Sequence, residues 1–403
     1  MFLLAFHNIF RHKVRTVLTL SVIVFGVAGL ILTGGFVEDV FIQLQESTIH
    51  SQLGHLQIYR AGYSERGRRD PYKYMLDESR QITDKVAEIP HVSDVLLRVN
   101  FSGLANNGRA DLNIIGEGVQ PDKEARLGTV MTITSGRQLA ATDAYGVLVG
   151  EGVARALQLK PGDYLTLLVS TIDGALNSLE VEVIGVFRTF ARDYDNRAVR
   201  IPLAAAQDLV GTAEVHRVVV SLDATQETDV VAERLRQVFK PSEYEIKPWY
   251  EIADFYRKAV DLYRRQFQVL QLIILFMVLL SVTNSVNMAV YERTGEFGTM
   301  KALGDKQSDI FSLVIKENLL LGLLGAGLGV VMGVVLAWAI TGIGIEMPPP
   351  PNSDIGYTAH IRVVPRVVAM AFGVGALATL LAALLPAYRV ARLPVVEALR
   401  KNV

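Results

Sequence analysis

Four apolar runs constrain this chain more than anything else in it. They lie at about 17–37, 267–290, 313–341 and 366–388, and each reaches the roughly 18–20 apolar residues that one helical crossing of a bilayer requires. Hydrocarbon offers backbone amides no partner, so such a run satisfies its own hydrogen bonds as a helix. About 230 residues of soluble character separate the first run from the second. The whole chain of 403 residues is 50% hydrophobic and 20% charged, with mean hydropathy +0.30. That balance fits a few spans joined to a substantial water-exposed domain. The expected fold is membrane α-helical, with four transmembrane helices and a large extracytoplasmic α+β domain between spans one and two. The expected divisions are 1–47, 48–250 and 251–403.

The net charge of −1 hides an uneven division. Residues 38–265 carry 27 Lys/Arg and 33 Asp/Glu, a balance of −6, and the remainder carries 13 and 8, a balance of +5. An acidic domain on basic membrane flanks speaks against nucleic-acid binding. The absence of cysteine excludes disulfides, thiol catalysis and cysteine metal sites.

The first run, "VLTLSVIVFGVAGLILTGGF", follows a basic start, as a signal peptide would. It is too long for a signal core and lacks an A-x-A cleavage site, so an uncleaved anchor is expected. Arg11, Lys13 and Arg15 precede it. Arg293, Lys301, Lys306 and Lys316 lie between spans two and three, and Arg389, Arg392, Arg400 and Lys401 follow span four. The opposite short loop holds only Arg362 and Arg366. Positive residues favour the cytoplasmic side, which places both termini and the 291–312 loop inside and the large domain outside. Arg264 and Arg265 oppose this, but they flank a long translocated domain, where the rule is weak.

"MFLLAFHNIFRHKVR" puts Phe2, Phe6, Ile9 and Phe10 on one helical face, as in a helix lying in the inner interface; a frayed basic terminus is the alternative. Val37, Val40, Phe41 and Leu44 continue span one at helical spacing. Before span two, Phe255, Ala259, Leu262, Gln266 and Val269 alternate steps of four and three, a heptad-like seam. Two such helices packed along these seams would make a stalk. Between them, "DESRQITDKVAEIPHVSDVLLRV" reads as helix, break and strand, and "VLVGEGVARALQLKPGDYLTLLV" as strand, helix, turn and strand. "LEVEVIGVFRTF" and "HRVVVSL" alternate like strands, and "ETDVVAERLRQVF" like an amphipathic helix. The domain divides into a part built from its two ends (about 48–115 and 210–250) and an inserted middle.

Chemistry-bearing motifs are missing. No G-x-x-x-x-G-K-[ST] cradles a phosphate, no H-E-x-x-H holds a metal and no G-x-S-x-G presents a nucleophile. His50 and His55 approach metal-ligand spacing but read as surface residues, and Asp193/Asp195 and Glu243/Glu245 as loop acids. Within the spans the signal is packing. Gly325, Gly329 and Gly333 give span three a smooth face. Ser281, Thr283, Asn284, Ser285 and Asn287 offer hydrogen bonds across helices; a pore lining is the alternative. "EMPPPPNSD" reads as a stiff polyproline strut.

"NIFRHKVRTVLTLSVIVFG", "YERTGEFGTMKALG" and "PAYRVARLPVVEAL", together with the large outer domain, resemble the MacB/FtsX/LolCE-type ABC transporter permeases, a mechanotransmission class. "VIGVFRTFARDYDNRAVRIPL" is reminiscent of the lipoprotein-releasing LolC/LolE branch. The resemblance implies that the segment after span two couples to a separate cytoplasmic ABC ATPase dimer, which would bind the ATP and Mg while this chain binds no cofactor. It assigns that role to Glu292, Arg293, Glu296, Gly298, Lys301 and Gly304. Glu292 and Glu296 suit a helix start, Lys301 its end and Gly304 its C-terminal cap. Phe297, Met300 and Leu303 would offer an apolar face. The resemblance further implies a non-catalytic subunit of the bacterial inner membrane and a second permease subunit, with a homodimer favoured over a heterodimer. It also implies contact with membrane lipid and a periplasmic lipoprotein chaperone or adaptor. Lipoprotein extraction is the leading expectation. Drug or peptide efflux and FtsX-like activation of a cell-wall hydrolase are the alternatives.

Overall fold

The computed structural model describes residues 13–67, 69–127, 131–189, 191–347 and 356–400. The expected interfacial helix at Phe2–Phe10 and the proline run lie outside the described residues. The chain divides into two compact units. One combines residues up to 42 with 259–347 and the region from 358 onward, and the other is built on 43–258.

In chain order, the elements begin with helix α1 (Lys13–Thr48), strand β1 (Leu56–Arg60), α2 (Ser79–Ala87), β2 (Val92–Asn106) and β3 (Asp111–Val119). There follow β4 (Thr132–Gly136), β5 (Gly146–Gly150), β6 (Tyr164–Ser170), β7 (Leu176–Arg188) and β8 (Ala198–Pro202). Then come α3 (Leu203–Val210), β9 (Arg217–Leu222), α4 (Thr228–Val238) and β10 (Tyr244–Pro248). The chain ends in α5 (Asp254–Glu292), α6 (Thr294–Ala302), α7 (Gln307–Ile343), α8 (Pro365–Arg392) and α9 (Val395–Arg400).

Four of these helices, α1, α5, α7 and α8, are long and apolar enough to cross a membrane. The three glycines of α7 set its distance from α1. A Cβ added to Gly329 would stand 2.7 Å from the Cβ of Val27, and Gly325 and Gly333 face Ile23 and Ile31 with similar closeness. Small residues let two backbones approach, and dispersion then acts over the whole contact. Gly322 serves the same end against Thr379 of α8. On the outer side, Gly35 leaves room for the carbonyl of Arg362, which a Cβ would approach to 2.4 Å. The Arg362 guanidinium then reaches the buried Asp39 at 2.8 Å.

The partner face of α5 is not the one that the seam predicts. Tyr263 meets Phe41 edge to face at 6.2 Å, Phe267 lies over Gly34, and Val278 lies over Gly26. Leu262 and Val269 remain more than half exposed, and Gln266 is exposed as well. A heptad pattern identifies a face but not the helix that covers it. Here α1 takes the adjacent face.

The second unit is built around a ten-stranded sheet in the order β10-β1-β9-β2-β3-β8-β5-β7-β4, with β6 pairing to β2 and β7. Strands from the two ends of the domain (β1, β9 and β10) gather on one side, and those from its middle on the other. Long β2 belongs to both, pairing β9 through Val92–Arg98 and β6 through Gly103–Asn106. Val218, Val219 and Val220 in β9 are all buried, so this strand is covered on both faces. Between β6 and the preceding helical turn, Gly162 supplies the positive φ of 93° that the Pro161-Gly162 turn needs.

Near the centre of this sheet lies a group of charges that no motif announced. Arg98 in β2 donates through Nε to Glu124 at 2.7 Å. Glu117 in β3 receives Arg217 at 2.6 Å, the Tyr194 hydroxyl at 2.9 Å and Arg200 at 3.3 Å. Burial pulls the Glu117 carboxyl upward, but the three guanidiniums prevail and hold it at about 2. Arg200 also donates to the carbonyl of Ser51 at 3.0 Å. Ser51 sits in the π-helical turn Ile49–Leu53 that closes α1, where the Gly54 amide reaches back five residues to Ile49 at 2.9 Å. The cluster ties four strands to the end of the first helix.

Three sequence readings need correction here. His55 is buried, not a surface residue. Its Nδ1 accepts from the Leu222 amide at 3.1 Å, its ring meets that of His50 edge to face at 5.5 Å, and burial lowers its pKa to about 4. Asp195 is likewise buried, bonded to the Thr189 amide and hydroxyl at 2.9 and 2.7 Å. Glu245 lies in β10 rather than in a loop.

Candidate functional site

The segment between α5 and α7 gathers the residues expected to couple to a partner. The long helix α5 stops at Glu292 because Arg293 leaves helical geometry, with φ −100° and ψ 12°, and α6 restarts at Thr294. The Thr294 hydroxyl donates back to the carbonyls of Val290 and Tyr291 at 3.0 and 2.8 Å, which closes the junction. At the far end the Gly304 amide bonds the Lys301 carbonyl and the Asp305 amide bonds that of Met300, both at 3.1 Å. This reciprocal pair with Gly304 at φ 108° is a Schellman stop, which favours glycine at that position.

Two polar clasps fasten α6 to the spans. Arg293 gives one nitrogen to Glu317 of α7 at 2.8 Å and another to Glu296 at 2.9 Å, and its guanidinium lies 5.1 Å from the Phe297 ring centre. Lys301 donates to the carbonyls of Ala391 and Leu393 at 2.7 Å each. Those carbonyls belong to the open end of α8, so an ammonium there meets both unpaired acceptors and the negative end of the helix dipole. The short α9 also packs against α6. Removing Glu317 or Arg293 would strand a buried charge, which costs about 3–5 kcal/mol.

The clasps also decide which side chains stay available. Phe297 is only 2% exposed and belongs to the core shared by the four spans; Gly298 is buried and Met300 packs at the margin of that core. Leu303 is 84% exposed, and Glu292, Glu296 and Thr299 are exposed as well. The expected apolar face of Phe297, Met300 and Leu303 is thus divided: the first two face their own chain and Leu303 faces out. Periodicity placed all three on one side of a helix. It could not show that this side turns inward except at its last residue.

The polar residues of span two are similarly sorted. Ser285 bonds Thr19 of α1 at 2.5 Å, and Thr283 donates to the Ala382 carbonyl of α8 at 3.3 Å. Asn284 is exposed and Asn287 half-buried. Among the described residues no group of three or more metal-ligating side chains comes together.

Four membrane-crossing helices with a large α+β domain between the first and second, and a clasped helix after the second, define a multi-pass membrane protein of specific architecture. Residues 16–238 match the MacB-like periplasmic core domain and residues 269–395 the C-terminal region of FtsX-like permeases. The chain belongs to the MacB/FtsX/LolCE-type ABC transporter permeases. An uncharacterised ABC transporter permease of Methanocaldococcus jannaschii is 24% identical over 53% of this chain and 54% of its own length. The lipoprotein-releasing system transmembrane protein LolE of Haemophilus influenzae is 23% identical over 65% of this chain and 64% of its own. The macrolide export ATP-binding/permease protein MacB of Nitrobacter winogradskyi is 25% identical over 99% of this chain and 60% of its own. The matched stretch therefore spans between about half and two thirds of these relatives.

Proposed function

We propose that this chain is the membrane-spanning subunit of an ABC transporter, driven by a cytoplasmic ATPase that docks on α6 through the exposed surface around Leu303, Glu292 and Glu296. One observation carries the reading. The helix is held at both ends, by Arg293 to α7 and by Lys301 to α8, so a push on Leu303 is passed to two spans instead of being absorbed by a loose loop. ATP-driven closure of two ATPase subunits would bring two permeases together, and the helical extensions of α1 and α5 would carry the displacement to the outer domains. The termini and α6 lie on the cytoplasmic side in this reading.

For cargo, the comparisons favour efflux of an amphipathic drug or peptide over lipoprotein extraction. The MacB protein aligns over 99% of this chain and LolE over 65%. Both remain within one mechanism, in which the substrate is handled by the outer domains. Co-expression with a cytoplasmic ABC ATPase tests the proposal. The complex is expected to hydrolyse ATP, and the purified permease alone neither to bind nor to turn over ATP. Turnover by the permease alone, lost on mutating a residue of this chain, contradicts it.

A further inference from the structure

The two clasps on α6 end on helices of different build. Glu317, which receives Arg293, lies in α7, a helix without proline from Gln307 to Ile343. Ala391 and Leu393, which receive Lys301, lie at the end of α8, beyond a buried proline inside that helix, Pro386. The sequences of the other three spans contain no proline.

A proline in a helix interior has no amide to donate, and its ring crowds the carbonyl four residues back. For Pro386 that carbonyl belongs to Ala382. Hydrocarbon offers it no water, and a neighbouring hydroxyl can take the place of the lost amide. The Thr283 hydroxyl of α5 does so, donating to the Ala382 carbonyl at 3.3 Å. A threonine in a helix ordinarily turns its hydroxyl to its own backbone four residues back, as Thr294, Thr299 and Thr379 do here. Thr283 instead crosses to another span, and the carbonyl it serves is the one that proline leaves open. Two independent features, a helix short of one ladder bond and a hydroxyl diverted to that point, mark the same place.

The two sides of this place have different attachments. Before Pro386, α8 packs on its neighbours, with Thr379 against Gly322 and Gly375 against Val27. After it, Lys301 of α6 holds the last carbonyls of α8, and α9 packs on α6. We propose that Pro386 is a pivot in span four. The segment 387–400 moves with α6 as one cytoplasmic unit about the Arg293–Glu317 anchor, while the part of α8 before Pro386 stays with the bundle. Helices bend at proline because no ladder bond has to break there. Thr283 holds the pivot at rest. When the bend draws the Ala382 carbonyl away, its hydroxyl has the Leu279 carbonyl of its own helix to return to. The inference rests on the reading of α6 as the surface where the ATPase docks, and it adds where the push becomes a change of shape.

The chain has no cysteine, so pairs of spin labels can be placed without removing any. Leu377→Cys with Glu397→Cys straddles the pivot, and Trp338→Cys with Leu377→Cys lies wholly on the bundle side; all three positions are exposed. The full-length labelled chain, diluted with unlabelled chain so that copies do not add to each other's signal, is purified with the ATPase. Distances are compared without nucleotide and with ATP plus vanadate. The 377–397 distance is expected to shift with nucleotide and the 338–377 distance to stay. Pro386→Ala restores the amide, and the 377–397 shift is expected to be lost while the ATPase still co-purifies. Thr283→Val is expected to broaden the 377–397 distances without nucleotide, and to have no such effect beside Pro386→Ala, where the alanine amide serves Ala382. The same shift in Pro386→Ala, equal shifts of both pairs, or no shift in an otherwise wild-type complex that holds the ATPase overturns the pivot and leaves the docking surface standing. Failure of the ATPase to co-purify with the wild type overturns the docking reading, and the pivot with it.

Discussion

The two units of this protein both enclose arginine–glutamate pairs, and they use them to different ends. In the outer domain Arg98, Arg200 and Arg217 surround Glu117 and Glu124 in the interior of the sheet. These side chains are buried within the domain. In the membrane unit Arg293 bridges Glu317 and Glu296 at the edge of the span core, and the next helical turns lead to the exposed Leu303. A buried cluster of paired charges holds one arrangement of strands, because slippage would separate the pairs in a poor dielectric. A clasp at a margin fixes one helix and leaves its outer surface free to be read. The first fixes strands, and the second fixes the position of one helix.

Breaking the inner cluster should do the most damage. Glu117→Ala leaves three guanidiniums facing Glu124 alone, and the outer domain is expected to lose at least ~3–5 kcal/mol. Chemical unfolding of the purified chain, followed by the fluorescence of Trp249, measures it. Glu117→Gln, which keeps an acceptor in place, should cost less.

Acid comes next, and it sharpens the contrast because the cluster should survive it. Burial lowers both His55 and His216 to about 4, the latter aided by Arg217. Between pH 6.5 and 4 the unfolded chain therefore binds protons that the folded chain refuses, so stability falls as pH drops through that window. The full effect is on the order of 3 kcal/mol for each histidine. Glu117, held at about 2, stays ionised throughout. Unfolding curves at pH 7 and 4.5 should differ in the wild type and differ less in His55→Gln.

The spans, their number and the strand–helix sequence of the outer domain were legible in the chain because they rest on periodicity and on Gly and Pro signals. So was the glycine face of α7, since small residues at four-residue spacing have few other uses in a membrane. What was not legible follows from one cause: periodicity names a face without naming its neighbour. It assigned Leu262, Gln266 and Val269 to the stalk contact, where Tyr263 and Phe267 serve instead. It put Phe297 on a docking surface, where it fills a core. The arginine cluster had a faint signal, a charged residue within each of three otherwise apolar strands: "LLRVNF", "AVRIPL" and "HRVVVSL". Only the sheet order brings them together, and strand order between distant segments is set by tertiary pairing.

The smallest expected effect on stability bears most directly on the central claim, that α6 is the coupling surface. Leu303→Asp changes a side chain that is 84% exposed, so insertion and unfolding should match the wild type to within ~0.5 kcal/mol. At a docked interface the same carboxylate would be desolvated without a partner, a change that costs several kcal/mol of association. Co-purification of the cytoplasmic ATPase with Leu303→Asp, and ATP turnover by the reconstituted complex, decide the matter. The account predicts that the variant is present in the membrane at normal level and retains little ATPase or coupled turnover. Wild-type association and turnover would contradict it.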